Sequence, residues 1–357
     1  MDLHGGNIYS LQRDGKRDIL DYSSNINPLG VPDSLKKAIQ ENFSILEKYP
    51  DINYVELREK IGKYNNISKD NVIVGNGATE VLFLYMKVLK PENVLIVAPT
   101  FAEYERALKI VESKIDFFEL REKDNFVIDI SELKEKSKNY DLVVICNPNN
   151  PTGKFISLDK IDDLNRYLEK NGTKLFLDES FIEFKKGWEK ETALNLKSEN
   201  IFILRALTKF FALPGIRLGY GLTYDKNIIS QINDIREPWS VNGFADLAGK
   251  VILDDSLYIE KTEKWIEEER KFFIEELKKI DRIKVYGTET NFVLINLKTM
   301  TAEIFRNKMI EKNILVRNAS NFRFLNEYFI RLAIKDREKN IKVLEAIKEV
   351  VLWKGFW

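Results

Sequence analysis

Leu204-Arg-Ala-Leu-Thr-Lys-Phe-Phe-Ala-Leu-Pro-Gly-Ile-Arg-Leu-Gly-Tyr220 places one lysine, Lys209, on a turn between apolar runs, with an arginine, Arg217, eight residues later. A lysine held in apolar surroundings can lose its proton, attack a carbonyl and form a Schiff base. An arginine at this spacing can hold an anionic group on the same ligand. Two further segments complete the pattern. Asn147-Pro-Asn-Asn-Pro-Thr-Gly153 follows one predicted strand, and Asp178-Glu-Ser-Phe181 follows the next. Each alone has a plain reading: a snorkelling surface lysine, a turn, a loop carboxylate. Together, in this order and each at a strand's carboxyl end, they point to a site for pyridoxal 5′-phosphate.

The chain has 357 residues, enough for two domains by the usual limit on a single core. Lys+Arg and Asp+Glu balance at 56 each, so no net field favours nucleic acid or an acidic membrane. Anion binding must then come from local placement of Arg and Lys. The single cysteine, Cys146, ends the apolar run Leu142-Val-Val-Ile-Cys146 and reads as a small buried hydrophobe. One cysteine cannot form an intrachain disulfide, which fits a reducing cytoplasm. The polar, Gly-rich start Met1-Asp-Leu-His-Gly-Gly-Asn7 is unlike a signal peptide. No apolar run approaches the ~20 residues that span a bilayer. With one histidine, His4, and no Cys/His spacing, no metal site is expected.

Short apolar runs recur with helical stretches between them. Strands are expected at Val72–Val74, Val94–Val97, Ile115–Glu119, Leu142–Cys146, Lys174–Leu177, Ile201–Leu204 and Leu218–Leu222. Helical patterns such as Thr79–Leu89, Glu103–Val111 and Leu158–Lys170 lie between them. This alternation predicts an α/β domain over 50–250 with a mainly parallel sheet flanked by helices. Ligands bind such sheets at the strands' carboxyl ends, where Asn147, Asp178 and Lys209 fall. Beyond residue 250, one long charged helix, Asp255–Ile280, carries the apolar stripe Trp265, Ile266, Phe273 and Leu277. Strand-like Lys284–Tyr286, Phe292–Asn296, Leu315–Arg317 and Tyr328–Ile334 then interleave with helices at Ala302–Lys312 and Asp336–Val351. This predicts a smaller α+β domain over 251–357, with the Pro-punctuated segment 1–49 packed against it.

Gly75-Asn-Gly-Ala-Thr-Glu80 follows the first strand and opens a helix. Glycines allow close backbone approach, and free N–H groups at a helix start bind anions. The segment predicts a seat for the cofactor phosphate at Gly77, through the Ala78 and Thr79 amides and the Thr79 hydroxyl. Asp178 would pair with the pyridine nitrogen and favour its protonated form. Asn150 would donate to the cofactor's phenolate oxygen, while Asn147 and Asn149 shape the turn. Phe101, in Pro99-Thr-Phe-Ala-Glu-Tyr104, is placed to stack on the ring.

These motifs together resemble fold-type I pyridoxal phosphate enzymes of the class I/II aminotransferase group, over nearly the whole chain. The general pattern is similar to histidinol-phosphate aminotransferase. Finer features look like threonine-phosphate decarboxylase of cobalamin biosynthesis. They are His4-Gly-Gly-Asn7, Asn25-Ile-Asn-Pro-Leu-Gly30, Tyr49-Pro-Asp51, Phe101-Ala-Glu-Tyr-Glu-Arg-Ala-Leu108, Leu177-Asp-Glu-Ser-Phe-Ile182 and Pro238-Trp-Ser-Val-Asn242. The resemblance implies that Lys209 carries the cofactor covalently, that Asp178, Asn150 and Arg217 hold it, and that Thr208 lies near its phosphate. It implies a homodimer in which Tyr54 reaches the neighbouring subunit's cofactor. It assigns Arg331 to the substrate carboxylate, and Arg317, His4 and Asn27 to the substrate phosphate.

Two positions depart from the aminotransferase pattern. Phe181 stands where a tyrosine usually hydrogen-bonds the phenolate, a change shared with the decarboxylase pattern. Ala206 stands where a Ser or Thr usually assists the phosphate, a loss of about 1 kcal/mol. The expected reaction is decarboxylation of L-threonine O-3-phosphate to (R)-1-amino-2-propanol phosphate and CO₂. The alternatives are a histidinol-phosphate-type transamination with 2-oxoglutarate, and a non-catalytic relative that binds the cofactor or a partner.

Overall fold

The apolar runs between Val72 and Thr223 pair into one seven-stranded sheet. A computed structural model describes residues 5–352 of the chain. Across the sheet the strands run Val72–Asn76, Leu218–Thr223, Ile201–Ala206, Lys174–Asp178, Leu142–Cys146, Asn93–Ala98 and Lys114–Glu119. Only Leu218–Thr223 is reversed; it pairs antiparallel with both its neighbours. The central strands are buried on both faces, which is why they read as unbroken apolar runs. Their alternate residues feed two cores. Leu95, Val143, Leu175 and Ile203 enter the larger core on one face, and Ile96, Val144, Phe176 and Leu204 a second core on the other. Cys146 is buried in the second core, and burial pushes its thiol pKa up, as suits a packing residue.

In-register parallel pairing fixes the height of the functional loops. Cys146 pairs with Asp178, and Asp178 with Leu204. The turns beginning at Asn147, Asp178 and Leu207 therefore emerge side by side at one edge.

A second sheet, all antiparallel, is ordered Arg317–Asn318, Phe329–Ala333, Phe292–Asn296 and Lys284–Val285. The long helix spans Ser256–Lys278, with the Asp255 side chain accepting from the Tyr258 amide at its start. Trp265, Ile266, Phe273 and Leu277 are all buried along it, as the stripe predicts. The strand expected at Leu315–Arg317 is instead two short pieces serving different partners. Ile314–Leu315 pairs in parallel with Leu20–Asp21, and Arg317 pairs with Arg331. Tyr22 extends the tie from the N-terminal segment: its carbonyl accepts from the Ala333 amide and its hydroxyl donates to Asn340. The helix Asp33–Glu41 packs instead on Gly243–Ile252, so the first fifty residues touch elements on both sides of residue 250. No helix among the described residues is long and apolar enough to cross a membrane.

Behind the large sheet lies a fully buried cation, Arg205. Its guanidinium pairs with Glu179 at 2.7 Å, donates to Asn65 and Thr192, and stacks 4.6 Å from the Trp188 ring. Glu183 is buried nearby, and neither of its carboxylate oxygens has a hydrogen-bond partner. Burial pushes its pKa up to about 7, although Arg205 pulls the other way. A carboxyl pKa raised in the folded state favours folding below the unfolded value, and that benefit is lost as pH rises towards 7. Glu183→Gln is expected to be more stable than the parent at pH 8, by up to about 3 kcal/mol. The gap should close near pH 4; urea melts at the two pH values that show no such convergence would refute the assignment.

Candidate active site

Lys209 sits half-buried on the loop after Ile201–Ala206, with its amine donating to the Thr208 hydroxyl at 2.7 Å. Burial pushes its pKa down to about 8; Asp178 opposes the shift, and Arg217 and Arg331 add to it. An ordinary lysine near 10.4 is almost wholly protonated at neutral pH, whereas this amine is free in an appreciable fraction. A deprotonated amine is what nucleophilic attack on a carbonyl requires.

Asp178 is the facing carboxylate. Its two oxygens accept from the Tyr104 hydroxyl at 2.6 Å and the Ser180 amide at 2.9 Å. Burial raises its pKa, while the Ser180 and Tyr104 hydrogen bonds and Lys209 lower it. Tyr104 was not singled out from the sequence. It lies one helical turn beyond Phe101, and its ring meets the Phe101 ring edge-on at 5.6 Å, but nothing in the local pattern signals a bond to a carboxylate 74 residues away.

The Asn147–Gly153 turn is held by its own amides. Asn147 exchanges two hydrogen bonds with Ile156, and Asn149 bonds Pro99, Thr100 and Thr152. Gly153 has φ +68°, and a Cβ there would fall 2.0 Å from the Thr288 hydroxyl, so glycine alone fits. Asn150 is turned the other way, its carbonyl oxygen accepting from the Arg331 guanidinium. That leaves the Asn150 amide hydrogens free of this bond, as donors.

Arg331 is buried among three groups. It donates to Asn150 and to the Ser23 carbonyl, and its guanidinium lies 5.2 Å from the Phe292 ring. Phe181, also buried, meets that ring edge-on at 5.1 Å. The Arg331 Nε has no hydrogen-bond partner. Burial pushes the Arg331 pKa down to about 9, and neighbouring Arg317 pushes the same way. A buried guanidinium with an unused donor, and no ion-paired carboxylate among the described residues, is suited to receiving an anion. Arg317 is cross-strand partner to Arg331 and donates to the Asn318 carbonyl and the Asn321 side chain. A cavity of about 280 Å³ is lined by both Phe101 and Arg317.

The Gly77 turn tests whether a phosphate fits. Gly77 caps the helix Ala78–Leu89, and a Cβ on it would lie 2.4 Å from the Arg217 Nη2. Arg217 thus lies directly against the start of this helix. There the Ala78 and Thr79 amides lack internal partners and the helix presents partial positive charge. A cation at a helix N-terminus is unfavourable alone and becomes favourable once an anion sits between them.

The structure departs from several expectations. Tyr54, expected to reach a neighbouring subunit's cofactor, has its hydroxyl engaged within its own chain. It is buried, its hydroxyl both donates to and accepts from the Val241 backbone, and Arg236 covers its ring at 4.9 Å. Tyr49 is the exposed tyrosine of this region, its ring tilted against Trp239 at 4.8 Å. Asn27 is buried with both amide hydrogens committed to the Phe210 carbonyl and the Thr262 hydroxyl, which leaves none for a substrate phosphate. Its role is to pin the lysine loop to the long helix. His4 lies outside the described residues.

Residues 17–347 match the model of the family described as aminotransferase class I and II. The chain belongs to that family. The family's cofactor is pyridoxal 5′-phosphate, and the Gly77–Arg217 cradle, the Asp178 carboxylate and the Lys209 amine fit its phosphate, ring nitrogen and aldehyde. A Caldanaerobacter subterraneus protein provisionally named a threonine-phosphate decarboxylase is 40% identical over 97% of this chain and 93% of its own. Salmonella typhimurium threonine-phosphate decarboxylase is 33% identical over 98% of this chain and 96% of its own. A crystal structure of histidinol-phosphate aminotransferase from Clostridium acetobutylicum superposes with TM-score 0.88 at 40% identity, over 93% of this chain and 99% of that one.

The lowered Lys209 pKa gives a direct test. Borohydride trapping of pyridoxal phosphate on the apo-protein should rise with pH through a midpoint near 8 and vanish in Lys209→Ala. A midpoint near 10, or an adduct persisting in the variant, would remove Lys209 from the site.

Proposed function

We propose that this chain is a pyridoxal phosphate-dependent lyase that decarboxylates L-threonine O-3-phosphate, releasing CO₂ and (R)-1-amino-2-propanol phosphate for cobalamin biosynthesis. The observation that carries the reading is Arg331, buried, with one donor unused and Arg317 directly across the sheet. Two arginines side by side suit a substrate with two anionic groups. The names and extent of the two decarboxylase relatives support the same choice.

When bound, pyridoxal phosphate would supply an electron sink that weakens one bond at the substrate Cα. The protein decides which bond that is. Arg331 receives the carboxylate and Arg317 the phosphate, and the remote phosphate contact fixes the rotamer about Cα. Asn150 links the two halves of the site by accepting from Arg331 while offering its amide to the ligand. Asp178 holds charge opposite the ring nitrogen, kept in place by Tyr104 and Ser180. Lys209 Nζ, steadied by Thr208, returns a proton to Cα after CO₂ has left.

A second reading, transamination of a histidinol-phosphate-type substrate, is favoured by the 40% identity to the Clostridium acetobutylicum structure. It uses the same groups and differs in breaking Cα–H. Mass spectrometry with threonine phosphate, serine phosphate and histidinol phosphate in competition separates the two. We expect CO₂ and aminopropanol phosphate without added 2-oxoglutarate; turnover only with the keto acid, and no CO₂, would replace the first reading by the second. Arg331→Lys should lower kcat/KM by about a hundredfold, because an ammonium cannot hold Asn150, Ser23 and a carboxylate together.

The active unit is proposed to be a homodimer. Phe43, Leu46, Tyr49, Ile52, Val55, Ile235 and Trp239 are large exposed apolar residues. The Tyr49 ring packs tilted against Trp239, and Arg236 donates to the Ile52 carbonyl, so the two segments form one patch. Monomers rarely leave such a surface uncovered. Trp239→Asp should shift the protein towards monomer in sedimentation experiments; an unchanged dimer would place the interface elsewhere.

A further inference from the structure

A second cavity, of about 380 Å³, adjoins Arg317 on its N-terminal side. Its wall includes Gly5 and Ser23 from the N-terminal segment and Arg306 from the helix Ala302–Glu311. The Ser23 carbonyl is the group that accepts from Arg331, so this cavity abuts the substrate arginines. Arg306 is half-buried and makes no hydrogen bond or ion pair with any described residue. A guanidinium carries five donors and strongly favours bidentate oxygen acceptors. Here it lines the same cavity as Arg317. An anion bound between two cations is attracted by both. Glu303 also lines the cavity, but it is exposed at the start of the same helix, where solvent screens it.

We infer that Arg306 is the second cation of the substrate-phosphate subsite, and that it selects a phosphate dianion over a carboxylate at that end of the substrate. The inference rests on the proposed reading of Arg317 as the phosphate anchor. A phosphate monoester carries a charge near −2 at neutral pH and offers three acceptor oxygens. Arg317 supplies one positive charge, with a terminal nitrogen on each side bonded to Asn318 and Asn321. Arg306, from the helix Ala302–Glu311 that lines the same cavity, supplies the missing charge. It is a specificity residue that acts on substrate binding.

The experiment is binding of inorganic phosphate to the holoenzyme by calorimetry, alongside steady-state kinetics with threonine phosphate. Arg306→Ala should raise the phosphate Kd and the KM for threonine phosphate by roughly tenfold to a hundredfold, the usual effect of one charge-assisted contact. kcat should fall by less than KM rises, because Arg317 still anchors the phosphate and holds the rotamer about Cα. Arg306→Lys should recover part of the affinity, and Arg306→Gln, which keeps most of the side chain's bulk, should behave like the alanine variant. Parent-like phosphate binding in both neutral variants would overturn the inference. Should the parent release no CO₂ yet bind phosphate through Arg306, the reaction reading falls and the anion subsite stands.

Discussion

A half-buried amine poised between a carboxylate and two guanidiniums is the constraint on which the rest of this structure depends. Lys209 is useful only if its proton is loosely held, and burial with Arg217 and Arg331 nearby loosens it. Asp178 prevents the opposite failure. It opposes the shift, so the amine titrates near the working pH range instead of far below it. Asp178 must in turn stay buried, and Tyr104 and Ser180 satisfy its oxygens so that it can.

The parallel sheet supplies the geometry for this balance. Registered pairing of Leu142–Cys146, Lys174–Asp178 and Ile201–Ala206 brings the three loops out at one level. The reversed strand Leu218–Thr223 then returns the chain so that Arg217 arrives at the helix that Gly77 opens. The C-terminal sheet adds the arginines on neighbouring strands, and Asn150 joins them to the large sheet. The site is thus assembled across the line between the two sheets, and the N-terminal segment closes it through Ser23 and Asn27.

Several site features follow from burying charge. Arg205 and Glu179 are satisfied as a pair with Asn65 and Thr192, and burial pushes the pKa of neighbouring Glu183 up. Arg331 faces the same difficulty at the site itself, where the missing partner is the ligand. A binding pocket differs from a structural ion pair in that one member of the pair arrives from solution.

The sequence by itself determined the alternation of strands and helices, the large mainly parallel sheet and the three strand-end loops. Those features depend on local periodicity and turn chemistry, which adjacent residues carry. The strands at Leu142–Cys146 and Leu218–Thr223 and the long helix with its Trp265-to-Leu277 stripe were all legible in this way. Pairings between distant residues were not. The Tyr104–Asp178 bond, the Arg331–Asn150 bond and the splitting of residues 314–318 between two sheets depend on tertiary contacts spanning tens to hundreds of residues. Tyr54 and Asn27 show the same limit: both polar groups looked available in the sequence, and both are consumed by backbone or side-chain partners that only the folded chain brings within hydrogen-bond distance.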